Sequence, residues 1–341
     1  MCQVSSNILR SSRDKRIDLL RFVALMGVIL AHVGPSSFWL QARNFDVPLM
    51  VLLSGMSFSY SSGVKISYVN YSWKRFKRLV IPVWCFLTFY FICFPELDFK
   101  CILSSYFLIS GIGYVWVIRV FLITSLLAPL LYTISSRIRS NATYIALIFF
   151  TSLLLELFLH VFRSQAENNL YIKTVFITLP YIWIFMLGIR IKHLKQFENY
   201  TILLSYGTIL VAILIYYFMQ SGQFFPTQYY KYPPRLYYIS YALIVSFVLL
   251  LFSNRLVIWA DNLGPISKVF YWTSQHSIWI YLWHILLVKL VSAFTCVWVR
   301  YFLCVIGSVV ITYFQTLIIK YISNKIENVK VKNNIRLIFE G

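Results

Sequence analysis

The sequence predicts an all-α protein of the membrane, a polytopic bundle of about ten transmembrane helices. Of its 341 residues, 60% are hydrophobic and only 12% are charged, and the mean hydropathy is +0.73. Apolar stretches near 20 residues recur along the chain, and each is long enough to cross the hydrocarbon core of a bilayer. The chain shows no long segments of alternating polar and apolar residues, which favours helices over a transmembrane β-barrel.

Ten segments fit this pattern and, because ten is even, both termini lie on the same side of the membrane. The net charge is +20, and most of the 31 Lys and Arg residues fall on that side. Basic loops stay in the cytoplasm, so both termini are expected there, and the charge is assigned to topology rather than to nucleic-acid binding. The predicted spans are 17–36, 46–62, 79–95, 113–134, 142–162, 173–189, 200–219, 236–253, 272–291 and 302–319.

The hydrophilic segments are short, so a single membrane domain is expected at residues 17–319. A basic cytoplasmic N-terminus, residues 1–16, precedes it, and a basic cytoplasmic tail, residues 320–341, follows it. The six Cys residues form no Cys-x-x-Cys pair and mostly lie in apolar runs. They are therefore interpreted as small packed side chains and not as metal ligands.

The first helix carries three ionisable side chains on one face. Arg21 and His32 are eleven residues apart, which is roughly three turns at about 100° per residue. Asp18 precedes Arg21 by three residues and shares the same stripe. Charged groups inside a membrane helix are costly and usually functional. Asp18 and Arg21 can simply pair near the cytoplasmic interface, whereas the deeper His32 is a candidate proton acceptor.

The second helix begins at Asp46, which can either cap that helix or approach His32 and fix its tautomer. Ser54 and Gly55 follow, and small residues of this kind allow close helix packing. Before the third helix, Arg75 and Arg78 are three residues apart and share a face. This pair can serve the positive-inside rule, or it can grip the phosphates of a donor such as coenzyme A.

Further polar residues lie within or beside later helices. Arg119 falls inside the fourth predicted span and is expected to face the bundle interior or water. Ser277, Tyr281 and His284 form one stripe in the ninth, either as a hydrogen-bond network or as part of a substrate site. The loop from Gln220 to Arg235 is rich in aromatic residues, which suit either an interfacial belt or a surface for stacking sugars.

Five short motifs follow one another over most of the chain. In this order they resemble the motifs of the acyltransferase-3 family of integral membrane acyltransferases, although Met56 replaces the usual aromatic residue and Arg119 a more apolar one. The motifs are Arg16-Ile-Asp-Leu-Leu-Arg21 with His32, Leu53-Ser-Gly55, Arg75-Phe-Lys-Arg78-Leu-Val-Ile-Pro82, Tyr114-Val-Trp116 through Pro129, and Ser277-Ile-Trp-Ile-Tyr281-Leu-Trp-His284.

The resemblance implies an O-acetyltransferase that moves acetyl from cytoplasmic acetyl-CoA, without a metal, to a hydroxyl of a surface polysaccharide or lipid-linked glycan. It implies that Arg21 and His32 are the essential pair and that Arg75 and Arg78 contact the donor. His32 would act as general base or as a transient acetyl carrier, with Asp46 as a possible orienting group. A form without the esterase-like domain of many members is expected, in the bacterial inner membrane.

Two other functions suit parts of the same pattern. A glycan or small-molecule transporter or flippase would also bury Arg, Glu and His among its helices. Such proteins often contain inverted repeats, and the sequence has no internal repeat. A membrane sensor or scaffold is the other alternative, but it would leave the ordered motifs unexplained.

Overall fold

The computed structural model describes residues 14–61, 67–95, 98–162 and 169–340, and in these residues it is built from helices without strands. The predicted basic N-terminus lies outside them up to residue 13. Short 3₁₀ turns occupy Ile191–His193, Thr227–Tyr230 and Val291–Ala293. The α-helices are α1 (Lys15–His32), α2 (Ser37–Ala42), α3 (Asp46–Ser61), α4 (Tyr68–Cys93), α5 (Phe99–Tyr106), α6 (Val115–Arg137), α7 (Asn141–Val161), α8 (Leu170–Arg190), α9 (Gln196–Ser221), α10 (Leu236–Asn262), α11 (Pro265–Gln275), α12 (Ser277–Leu290), α13 (Val297–Asn324) and α14 (Val329–Phe339).

Many of these helices are suited to a lipid bilayer. In the described part of the chain, seven are long and apolar enough to cross a membrane, namely α4, α6, α7, α8, α9, α10 and α13. The pair α11 and α12 passes the same test only when the two are taken together. The protein is therefore an integral membrane protein, and its described residues contain seven or eight apolar candidate spans.

The predicted span at residues 272–291 is not one continuous helix in the structure. The chain bends by 86° between α11 and α12, at His276. Ser274 and Gln275, at the end of α11, line a polar cavity, whereas α12 is almost wholly apolar. Because α11 contains aromatic residues, its last turn was predicted to belong to the apolar helix that follows.

Helices α1 and α3 do not qualify as independent spans, and they lie at the centre of the bundle. The first turns of α1 carry four charged side chains, and α3 has only 16 residues. Helix α1 packs against α3, α10, α11, α12 and α13, while α3 packs most extensively against α8. The polar face of α1 is therefore surrounded by protein rather than by lipid, which is where charged membrane residues are tolerated.

The contact between α3 and α8 depends on two glycines. A methyl group at Gly55 would overlap the Phe185 carbonyl oxygen, and one at Gly188 would overlap the Leu52 carbonyl oxygen. The two backbones thus touch where both residues lack a side chain, in the manner of small-residue packing between membrane helices. The packing role predicted for Gly55 is confirmed.

Replacing Gly188 with Ala should destabilise the bundle, because rigid backbone rather than a flexible side chain blocks the methyl group. Overpacking of this kind costs about 1–3 kcal/mol. We expect a lower midpoint of thermal unfolding for detergent-purified protein. The matched control is Gly207→Ala in α9, where an added methyl group meets nothing within 4 Å. Equal midpoints for the two variants would contradict the close crossing.

The segment predicted as a basic tail, residues 320–341, is for the most part structured. Helix α13 continues to Asn324, and α14 returns to pack against α4. Lys77 Nζ donates to Asn334 Oδ1 at 2.6 Å, and the Trp279 indole donates to the Ile338 carbonyl oxygen at 2.9 Å. These partners lie far away in sequence, so the local composition of the segment could not predict its docking.

Candidate active site

A cavity of about 990 Å³ lies among α1, α3, α4, α6, α8, α11 and α12. Its wall includes the first turns of α1, the basic half of α4 and the start of α12. Five cations and two carboxylates face it, together with several hydroxyl groups. The charged lining residues are Asp14, Lys15, Arg16, Asp18, Arg21, Arg75 and Arg78.

Arg21 is held on the cavity wall by a small polar network. Its Nη2 donates to Ser57 Oγ at 3.1 Å, and its Nη1 lies 3.7 Å from Asp18 Oδ1. Asp18 also accepts a bond from Ser274 Oγ at 3.3 Å. The pairing considered for Asp18 and Arg21 is therefore present. It leaves both side chains on the cavity wall, where the carboxylate orients the guanidinium.

Arg75 and Arg78 both line the cavity, as expected for residues three apart on one helical face. The Arg75 guanidinium lies over the Tyr71 ring, 5.1 Å from its centre. Tyr71 in turn donates to the Ser125 carbonyl oxygen at 3.0 Å. The Tyr71 ring, itself held by its hydrogen bond to Ser125, therefore supports the Arg75 guanidinium at the cavity wall.

His32 and His284 meet at the end of α1. His32 Nδ1 and His284 Nε2 are 3.0 Å apart, although 252 positions separate the residues in sequence. His284 is completely buried, and its Nδ1 bonds the carbonyl oxygen of Tyr281 in its own helix. The ring of Tyr114 packs edge-on against His32, with ring centres 4.7 Å apart.

These bonds fix the proton positions on both rings. A carbonyl oxygen can only accept, so Nδ1 of His284 carries the hydrogen and its Nε2 is the acceptor. His32 Nδ1 must then donate to it, which leaves the lone pair of His32 Nε2 available. A neutral imidazole oriented in this way can remove a proton or attack an acyl group.

The cavity and the histidine pair are adjacent. Val28 lies on the cavity wall, one turn before His32 on the same helix. Ser277 and Tyr281 line the cavity from α12, and the Tyr281 hydroxyl donates to the Tyr114 carbonyl oxygen at 2.7 Å. The stripe predicted on α1 thus runs along the cavity to the imidazole.

The structure places His284, rather than Asp46, against His32. Asp46 caps its own helix through the Val47 amide at 2.7 Å and accepts from Arg43 Nη1 at 2.8 Å. Lys231 Nζ lies 3.8 Å from its other oxygen. The proposed orientation of His32 by Asp46 must therefore be corrected: a second histidine does it, because Asp46 is engaged by two cations.

Arg119 faces the bundle interior, as predicted, but serves the backbone. Its Nη1 donates to the carbonyl oxygens of Leu108 and Ile109, at 2.8 and 2.7 Å. Leu108 has a positive φ of 59°, and Arg119 holds the chain in this unusual turn. Arg119 is therefore a structural residue that fixes the segment before Tyr114.

Sequence reasoning missed Arg43 and Lys231 as site residues. Both lie in segments interpreted as loops, where helical periodicity gives no signal. The cis Tyr232–Pro233 peptide follows Lys231 directly, and nearby aromatic residues surround its side chain. The sequence feature that could have indicated a buried Lys231 is the run of tyrosines on both sides of it.

The residues that the structure describes contain no group of three or more His, Cys, Asp or Glu able to hold a metal ion. A comparison with curated proteins and a comparison with solved structures gave no significant match. A family model described as an acyltransferase domain, Acyl_transf_3, matches residues 14–317, which is nearly the whole chain. The protein therefore belongs to the acyltransferase-3 family and is a membrane acyltransferase.

Proposed function

We propose that this protein transfers an acetyl group from acetyl-CoA to a hydroxyl of a surface polysaccharide or lipid-linked glycan. The observation that carries the proposal is a cavity that is lined by a cluster of cations and whose wall at Val28 lies one helical turn before the oriented His32. A cavity near 1,000 Å³ is large for a small-molecule site and suits an extended ligand. Acetyl-CoA carries its phosphates at one end and its thioester at the other. The cations of the cavity suit the phosphates, and the imidazole beyond the opposite end of the cavity suits the thioester.

Arg75 and Arg78 would hold the phosphates of the donor. Guanidinium groups bind phosphate through two parallel hydrogen bonds, and a pair on one helical face can grip two phosphates. Arg21 lies further along the same wall, beside the path of the pantetheine arm. The rise along α1 from Arg21 to His32 is roughly 16 Å, a distance that an extended arm can cover.

His32 would then act as the general base. Its Nε2 removes the proton of the acceptor hydroxyl while the hydroxyl oxygen attacks the thioester carbonyl carbon. The carbon–sulfur bond breaks, and the departing thiolate takes the proton from the His32 imidazolium. The products are an oxygen ester and free coenzyme A, and His32 returns to its neutral form.

The same proposal includes the topology. Ten crossings with both termini in the cytoplasm would put Arg75 and Arg78 beside the cytoplasmic supply of acetyl-CoA. The distribution of Lys and Arg supports this orientation. Helices α1 and α3 would cross within the protein interior, which explains how α1 can carry more charged residues than lipid-facing spans. The expected location is the bacterial inner membrane.

The combined substitution Arg75→Ala and Arg78→Ala should weaken donor use. Charge-assisted bonds to phosphate are each worth about 1.5–3 kcal/mol, so we expect the KM for acetyl-CoA to rise at least tenfold. Membrane vesicles supplied with radiolabelled acetyl-CoA provide the measurement, as label transferred to membrane glycans. A protein that only transports glycans would transfer no label in any variant.

A matched control is the pair Arg137→Ala and Arg139→Ala. These two arginines are exposed at the end of α6 and its following turn, on the same predicted side of the membrane, and do not line the cavity. Their loss should leave the KM unchanged. If both double variants behave like the wild type, Arg75 and Arg78 serve topology and not the donor.

A further inference from the structure

A buried charged cluster lies beside the histidine pair and has no role in the steps above. It consists of Arg43, Asp46 and Lys231, whose exposed fractions are 5%, 1% and 3%. Arg43 Nη1 is 2.8 Å and Lys231 Nζ is 3.8 Å from the two oxygens of Asp46. Gln228 accepts a further bond from Arg43 Nη2 at 3.1 Å.

The cluster contains two cations and one carboxylate. The nearby Glu156 does not supply the missing charge, because it bonds Arg235 at 2.6 Å and caps α10 through the Leu236 amide. The rings of Trp116, Tyr232 and Tyr238 surround Lys231, with their centres 5.8–5.9 Å from Nζ. Aromatic faces stabilise a cation only partly, so among the residues that the structure describes one buried positive charge of the cluster is not matched by a carboxylate.

The pKa of Lys231 is lowered to about 8, chiefly by burial; Asp46 opposes this shift and Arg43 adds to it. The ammonium form still predominates at neutral pH. The Asp46 carboxylate therefore favours the charged form of Lys231, although the same carboxylate also pairs with Arg43.

This excess charge lies next to the reacting groups. Asp46 packs against α1, because a methyl group added at Gly27, five residues before His32, would lie 3.3 Å from Asp46 Cβ. Lys231 Nζ lies 5.9 Å from the ring centre of Trp116, and the two residues that follow Trp116 line the cavity. An acyl group that reaches the end of the cavity at Tyr281 would thus have His32 and the charged cluster as neighbours.

We propose that Lys231 is a catalytic residue, whose ammonium group stabilises the negative charge that forms on the acyl oxygen during transfer. The inference rests on the proposed acyl transfer and deepens it. Asp46 and Arg43 are positioning residues: the carboxylate holds the lysine, and the arginine holds the carboxylate. A buried cation that is incompletely paired in the resting protein is suited to this role, because it binds charge that exists only during the reaction.

The electron balance of the step is simple. When the acceptor oxygen attacks, the carbonyl π electrons move to the acyl oxygen, which becomes an oxyanion beside Lys231. These electrons return to re-form the carbonyl as the carbon–sulfur bond breaks and the thiolate leaves. Lys231 keeps its proton throughout, and the proton from the hydroxyl passes through His32 to sulfur.

The test is Lys231→Met, which removes the charge and keeps a long apolar side chain. Loss of one oxyanion-stabilising donor lowers kcat by about 100–1,000-fold. We expect this loss for label transfer from acetyl-CoA in membrane vesicles, with the KM for acetyl-CoA unchanged. The thermal midpoint should be equal or higher, because Arg43 and Asp46 remain as a balanced pair. Lys289→Met is the matched control, since Lys289 also lies over an aromatic ring, 3.6 Å from the centre of Phe94, but is exposed.

Three results would overturn the assignment of Lys231. One is wild-type kcat in Lys231→Met. Another is a loss of activity that follows a loss of thermal stability, which would make the lysine structural. The third is a rise in the KM for the acceptor at constant kcat, which would make Lys231 an acceptor-binding residue. Absence of transfer in the wild-type vesicles would instead refute the proposed function itself.

Discussion

His32→Ala should reduce acetyl transfer to the background of membranes that lack the protein. General acid–base catalysis by a positioned side chain contributes about 10²–10⁴-fold, and this variant also loses the group that orients the acceptor hydroxyl. The measurement is incorporation of label from acetyl-CoA into membrane glycans, normalised to the amount of protein. Binding of acetyl-CoA should be retained, because the cationic cavity wall contains no part of His32.

His160→Ala is the control for this experiment. His160 lies at the end of α7 and is exposed, so the same loss of an imidazole occurs away from the cavity. Its transfer rate should equal that of the wild type. Near-normal transfer by His32→Ala would refute the assignment of the base, whereas loss of donor binding would indicate that the variant is misfolded.

Two substitutions of His284 should differ in kcat, because one removes the hydrogen-bond acceptor for His32 and the other keeps an acceptor. His284→Phe removes the acceptor of the His32 Nδ1 proton, and the His32 ring is then free to adopt the wrong tautomer. A catalytic histidine deprived of its orienting partner loses roughly 100-fold or more in kcat. His284→Gln offers an amide oxygen near the position of Nε2 and should retain most of the rate.

Both substitutions remove a buried imidazole, so a purely structural role would affect them similarly. We expect similar thermal midpoints for the two variants but very different values of kcat at an unchanged KM for acetyl-CoA. Equal loss of kcat in both would indicate that His284 only fills space. Full activity of His284→Phe would show that His32 does not need this partner.

Much of the scaffold could be predicted from local patterns. Each of the ten apolar segments corresponds to at least one helix, since a membrane helix carries its signal within about 20 residues. The polar stripe on α1 was visible for the same reason, because Asp18, Arg21 and His32 follow helical periodicity. The close contact at Gly55 could also be predicted, since its cause is the absence of a side chain.

Features that depend on distant residues were less accessible. The sequence identified His284 as a member of a polar stripe, but no local pattern could predict its bond to His32. Lys231 lies in a loop, where periodicity carries no information, and its burial depends on rings from α6 and α10. Asp46 was assigned to His32 because the two are close in sequence, whereas the actual ion pairs with Arg43 and Lys231 depend on how the loops fold.

The central position of α1 also has a consequence for biosynthesis. Helix α1 is made before the other helices described, yet its charged turns make it a poor candidate for stable insertion into lipid by itself. The helices that pack against it include α10, α11 and α12, which are made long after it. His32 meets its partner only after 252 further positions have been synthesised. Under the proposed mechanism, the site is therefore complete only when α12 has been made and has packed against α1.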